Sequence, residues 1–187
     1  MKVLVACEYS GKVRDAFTAL GHDAMSCDLL PTETAGKHYQ GDVMDIINDG
    51  WDLMIAHPPC THLAVSGAAW FKYKQKEQAE ALDFVRTLLN APIPRIALEN
   101  PVSVISSRIR KPDQIIQPWM FGEDASKKTC LWLKNLPQLT PTQIITKERY
   151  GNQTPSGQNK LGPSPDRWKE RSRTYDGIAN AMAAQWG

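Results

Sequence analysis

Apolar residues along this chain fall into short unbroken runs separated by stretches in which they recur every three to four positions. The runs Lys2–Ala6, 23–27, 52–56 and 95–98 have the length and continuity of strands buried on both faces. After the first run, Val13, Ala16, Phe17 and Leu20 recur at helical spacing before Gly21. A longer helical stretch at 77–90 carries Ala81, Leu82, Phe84, Val85, Leu88 and Leu89 and stops at the breaker Ala91-Pro92-Ile93-Pro94. A short helical turn is expected at 43–47, and a small-residue helix suited to close packing at 178–184. Strands alternating with helices predict an α/β fold: a mainly parallel sheet, right-handed crossovers, helices on both faces, and ligands bound beyond the carboxyl ends of the strands. Asp28, Asp42, Cys60 and Glu99 would then gather on one rim.

The pattern weakens after Pro101. Short strands are expected at 114–117 and 130–133, with a loop at 121–128 between them. The stretch 136–168 is rich in Pro, Thr, Gln, Asn and Gly and reads as irregular. The chain has 187 residues, 42% hydrophobic and 22% charged, which suits one compact domain spanning 1–187. Its net charge of +2 hides an asymmetry: residues 1–100 hold 9 Lys and Arg against 13 Asp and Glu, whereas 101–187 hold 13 against 7. The basic half, and the segment 136–173 in particular, is compatible with a polyanion partner, although a solvated basic surface is an equally good account of charge alone. No run approaches the roughly 18 apolar residues of a membrane span. The start Met1-Lys2-Val3-Leu4-Val5 shows no cleavage signal, so a soluble cytoplasmic protein is expected. Cys7, Cys27, Cys60 and Cys130 are widely spaced, which argues for reduced thiols over a disulfide framework.

The candidate chemistry sits at two strand exits. His57-Pro58-Pro59-Cys60 follows the run 52–56, and its two prolines make a stiff turn that holds one thiol in one direction, as covalent catalysis requires. Glu99-Asn100-Pro101 follows the run 95–98 and puts a carboxylate at another exit. For a cysteine alone, a buried structural role is the commoner outcome, and a lone Glu before Pro is often a cap. His57 and His62 bracket Cys60 in a spacing that invites zinc, but no second ligand pair accompanies them, so no metal is expected. Trp70, Phe71 and Tyr73 lie among Lys72, Lys74 and Lys76; stacking on nucleic acid and anchoring in the core are both open, the second being the commoner.

Together these residues resemble the cytosine-C5 DNA methyltransferase family, in particular short phage-type members with little target-recognition domain. Pro59-Cys60 is similar to the family's nucleophile motif, with Ser66-Gly67 downstream, and Glu99-Asn100 to its Glu-Asn-Val motif. His57-Pro58 and Pro101 are this chain's own departures from those motifs. The resemblance implies a Rossmann-like S-adenosylmethionine-dependent fold. Its cofactor contacts would come from Glu8, Ser10 and Gly11 in the first loop, Asp28 and Leu29 at the ribose, Asp42 and Val43 at the adenine, Pro59, and Ile178 and Ala179 of the last motif. Ser66, Asn100, Lys127, Lys128 and Thr129 would meet the substrate, Lys127 and Lys128 standing where the family supplies arginines.

The implied reaction is methylation of cytosine C5 in DNA. Cys60 adds to C6, which makes C5 nucleophilic, and Glu99 bonds the N3 edge and exocyclic amine; the thiol must ionise, helped by the turn's backbone donors or by His62. The target base must be flipped or unpaired. Rival readings are a noncatalytic nucleic-acid-binding protein on the same fold, and a C5-methyltransferase of RNA or of a cytosine nucleotide. A chain this short is also compatible with a homodimer covering part of a duplex.

Overall fold

The computed structural model describes residues 1–162 and 164–187. Pro163, within the segment read as irregular, lies outside the described residues. The strands are β1 (Lys2–Ala6), β2 (Asp23–Asp28), β3 (His38–Gln40), β4 (Leu53–Ala56), β5 (Arg95–Pro101), β6 (Gln114–Ile116) and β7 (Thr129–Lys134). They form one sheet in the order β3-β2-β1-β4-β5-β7-β6. The pairs from β3 through β5 are parallel, whereas β7 runs antiparallel to both β5 and β6. The helices are α1 (Lys12–Ala19), α2 (Gln75–Leu89), α3 (Ile105–Arg108), α4 (Arg167–Ser172) and α5 (Asp176–Trp186).

Alternation along the central strands divides the core in two. Val3 and Val5 of β1, with Leu53 and Ile55 of β4, face α1 and α5 and pack with Val13, Phe17, Ile178 and Met182. Leu4, Ala6, Met54 and Ala56 face the other way, toward Leu82, Val85 and Leu88 of α2. Both faces are covered, which is why these strands read as unbroken apolar runs. Each large side chain so buried contributes about 1.5–3 kcal/mol.

Four features depart from the sequence reading. β5 does not end at Leu98 but continues through Pro101, because β7 pairs with its last three residues as Glu99↔Leu131, Asn100↔Cys130 and Pro101↔Thr129. Trp70 and Tyr73, weighed as core anchors, lie in a 3-10 helix (Val65–Tyr73) that buries none of its residues; their exposures are 68% and 66%. The basic segment 136–173 contains α4, a short helix in which no apolar period exists to announce it. β3, a three-residue strand that forms one edge of the sheet, was also unforeseen. Among the described residues no helix is long and apolar enough to cross a membrane.

Candidate active site at the carboxyl edge of the sheet

β4 and β5 leave the sheet side by side, and their parallel register carries on past the last ladder pair. Ala56 pairs with Leu98, so His57 falls opposite Glu99 and Pro58 opposite Asn100. Both contacts exist: His57 Nδ1 lies 3.3 Å from Glu99 Oε2, and Asn100 Nδ2 donates to the Pro58 carbonyl at 2.9 Å. The His57 amide is held by the Ala6 carbonyl of β1, and the Cys60 carbonyl accepts from the amides of Leu63 and Ala64. The Pro-Pro-Cys turn is thus stiff in its covalent geometry and pinned at both ends. A carboxylate has no proton to give, so Nδ1 carries the hydrogen in this contact.

The Glu99 side chain is 15% exposed and that of His57 9%. Burial pushes the Glu99 carboxyl up, but the His57 hydrogen bond and the positive charge of Lys127 outweigh it, leaving the group below the ordinary glutamate value. Cys60, half-buried, is pushed up by burial and by the negative charge of Glu99, against the smaller pull of Lys127 and Arg171. The resting pair is therefore a carboxylate beside a protonated thiol. Against the expectation that the turn's backbone donors or His62 would favour the thiolate, burial and the negative charge of Glu99 outweigh the backbone hydrogen bond that pulls the Cys60 thiol down.

Next to this pair, a cavity of about 190 Å³ opens between the β1, β2 and β4 exits. It is lined by Cys7, Cys27, Asp28, Leu29, Gly41, Asp42, Val43, Pro59 and Phe84. Five of these were expected from the sequence: Asp28, Leu29, Asp42, Val43 and Pro59. Asp28 accepts from the Leu30 amide at 2.9 Å, and burial pushes its carboxyl up against that bond. Asp42 caps a 3-10 turn (Val43–Asp45), accepting from the Met44 amide at 2.9 Å. Cys7, Cys27, Gly41 and Phe84 were missed as lining residues. The only sequence signal for Phe84 was its place on the apolar face of α2. Cys7 gave none, although its φ of 59° marks a strained backbone at the end of β1.

The structure does not bring the remaining expected cofactor contacts to that cavity. The Glu8 carboxylate turns inward, accepting from the Val13 amide at 2.7 Å, the Arg14 amide at 3.2 Å and the Ser10 hydroxyl at 3.2 Å. Gly11, the N-cap of α1, has φ 75° and offers no side-chain acceptor, so Glu8 satisfies the first donors of the helix instead. Ile178 and Ala179 are 3% and 1% exposed in the core that α5 shares with α1.

On the substrate side, Thr129 is buried at the start of β7 and Lys127 is half-buried, while Lys128 and Ser66 are exposed. Because β7 is reversed, the loop before it arrives at the rim where the parallel strands end. Lys127 Nζ donates to the Arg171 carbonyl of α4 at 2.8 Å, and Tyr9 after β1 donates to the Lys169 carbonyl at 3.0 Å. Arg173 grips Glu33 at 2.7 Å, so α4 lies across the rim and brings Arg171 near Cys60. Among the described residues no group of three or more His, Cys, Asp or Glu is arranged to hold a metal ion.

No family model matches the chain, and no curated protein matches it. Among solved structures the fold is similar to that of a candidate DNA modification methyltransferase encoded within a prophage of E. coli. The TM-score is 0.51 at 15% identity, over 78% of this chain and 52% of that one, so the chain spans about half the length of that protein. At this identity the likeness is one of fold alone.

Proposed function

We propose that the chain is an S-adenosylmethionine-dependent methyltransferase that modifies C5 of cytosine in DNA through a Cys60 adduct, within one domain spanning 1–187. The observation that carries this reading is the juxtaposition at neighbouring strand exits: a thiol on a pinned turn, a buried carboxylate whose charge acts on it, and a cavity that begins at the intervening Pro59.

The lining of that cavity suits the nucleoside end of the cofactor. Asp28 stands at the β2 exit, where a carboxylate could accept from two ribose hydroxyls; Asp42 and Val43 would hold the adenine; and Leu29, Val43 and Phe84 supply apolar walls. Bound there, S-adenosylmethionine supplies an electrophilic methyl group. Glu8, Ser10 and Gly11 act beneath, fixing the first turn of α1.

For the chemical step, the Cys60 sulfur adds to C6 of the base and Glu99 bonds its N3 edge. Asn100 keeps the turn in place through the Pro58 carbonyl. Lys127 offsets negative charge beside the ring, while Lys128, Ser66, Arg171 and the basic stretch 136–173 face the polyanion. The exposed Trp70 and Tyr73 suit an unpaired base or a displaced strand.

The test is transfer of labelled methyl from the cofactor to cytosine DNA, with Cys60→Ser and Glu99→Gln beside the wild type, and trapping on 5-fluorocytosine DNA. A stable protein–DNA adduct in the wild type, absent from Cys60→Ser, is expected. Equal transfer by wild type and Cys60→Ser, or label on an exocyclic amine, overturns the covalent C5 reading.

A further inference from the structure

We infer that Arg14 and His38 are positioning residues for the cofactor: the buried Arg14 guanidinium shapes the segment 29–37, and a hydrogen-bonded relay from it through Ser26 and His38 fixes the Leu30 backbone that orients the Asp28 carboxylate. The inference rests on the reading of the Asp28 cavity given above. It adds residues that do not line that cavity but hold its ribose end in shape.

The segment joining β2 to β3 has neither helix nor strand of its own, yet it follows directly on Asp28 and carries Leu29 to the cavity. Leu29 is 73% exposed, so its place comes from the backbone and not from burial of its side chain. One side chain sets the path of that backbone. Arg14, in the first turn of α1, is fully buried, and its ion-pair partner is the partly exposed Asp15. Nη1 donates to the Ser26 and Thr32 hydroxyls, each at 3.1 Å. Nη2 donates to the Thr34 hydroxyl at 2.6 Å and reaches the Thr34 and Ala35 carbonyls at 3.2 and 3.3 Å. The chain closes tightly around this group: a Cβ on Gly11 would stand 2.5 Å from Nη2, and one on Gly36 2.6 Å from Cζ. An apolar residue would fill the same space on α1 without the cost of burying a charge. A guanidinium is worth that cost where its planar fork of five donors gathers several acceptors at once.

The relay has a fixed direction. A guanidinium only donates, so the Ser26 oxygen accepts from Arg14 and its own proton goes to His38 Nδ1, 2.8 Å away. Ser26 is fully buried, and among the described residues its hydroxyl meets no other acceptor. A carbonyl only accepts, so His38 Nε2 carries the ring's hydrogen and donates to the Leu30 carbonyl at 2.9 Å. The Leu30 amide in turn donates to Asp28 Oδ1 at 2.9 Å. Leu30 is thus held at both of its backbone groups, and Gln40 of β3 donates to the neighbouring Leu29 carbonyl at 3.3 Å. The carboxylate and the apolar wall beside it are set before a ligand arrives, which removes an ordering cost from binding.

The experiment is calorimetric titration of the full chain with S-adenosylhomocysteine, the product left by methyl transfer, with a urea midpoint measured for every variant. His38→Ala is expected to bind on the order of tenfold more weakly, because the ligand must then order the turn itself. His38→Gln, whose amide nitrogen can donate to the Leu30 carbonyl, is expected to recover most of that loss. Arg14→Lys keeps the charge without the fork and should weaken binding at least as much as His38→Ala. Wild-type affinity in His38→Ala overturns the inference whether or not Arg14→Lys folds. So does an equal loss in His38→Ala and His38→Gln that follows their urea midpoints, since that marks general loosening and not a relay. A wild type that takes up no S-adenosylhomocysteine fails the cofactor reading and this inference with it. A wild type that binds, beside variants that bind as well, fails this inference alone.

Discussion

The β4 and β5 exits and the segment 136–173 meet at the same rim, yet they are fixed there by different forces. The exits inherit their positions from a parallel ladder with apolar layers on both faces, and two side chains finish the job: Asn100 on the Pro58 carbonyl and His57 on Glu99. The segment has no ladder of that kind and is laced to the body by scattered polar ties. Asp124 receives the Gly151 amide and Lys147, Asn152 exchanges bonds with the Ser126 backbone, Trp119 stacks on Tyr150, and Arg173 grips Glu33. Groups that must hold a reacting atom to a fraction of an ångström belong on the first kind of support. A surface meeting a long charged partner tolerates the second.

The contrast predicts a graded series of effects. Replacing Ile55, fully buried at the centre of β4, by Ala should lower unfolding stability by about 2–5 kcal/mol, read as a fall in the urea midpoint; a loss under 1 kcal/mol would mean the ladder is not the main support. Gly177→Ala should cost about 1–3 kcal/mol, because a Cβ there would stand 2.0 Å from the Phe121 carbonyl oxygen, where α5 crosses the backbone.

Acid should act on the ladder side. Glu99 is held below its ordinary value, so its contribution to stability is complete above the unfolded-state value and is lost as pH falls through the native one. Each unit of displacement is worth about 1.4 kcal/mol. His57→Ala should flatten that acid limb in urea titrations at several pH values.

On the laced side, Arg173→Ala removes a partly exposed pair and should change global stability by less than about 1 kcal/mol while exposing 136–173 to limited proteolysis. Arg171→Ala should leave stability unchanged and reduce the salt slope of DNA binding by about 1. An unchanged slope would separate α4 from the polyanion.

Much of the supported half could be read from the chain because burial on both faces writes itself as unbroken apolar runs, and because a Pro-Pro turn has little freedom. The runs at 2–6, 52–56 and 95–98 gave the strands that carry Cys60 and Glu99 to one edge. The His57–Glu99 contact was legible in principle, since two parallel strands in register place the residues after a shared pair opposite one another, but only once their adjacency and register were known. The inward turn of Glu8 was not legible. A carboxylate after β1 reads equally well as a ligand or as the cap that a helix starting at glycine lacks. α4 escaped for another reason: a six-residue helix with none of its residues buried leaves no periodic trace. Trp70 and Tyr73 show the opposite case: of the two fates the sequence left open, the commoner one, anchoring in the core, is not theirs.

The reversal of β7 has a consequence for design. A strand that enters the sheet from the edge where its neighbours leave lets the connection 121–128 reach the reactive pair without passing through either apolar layer. Lengthening that connection, or exchanging Lys127 for another side chain, is a graft made at a border. The chemistry at positions 60 and 99 could then be retuned, or given a different target, while the two apolar layers beneath stay as they are.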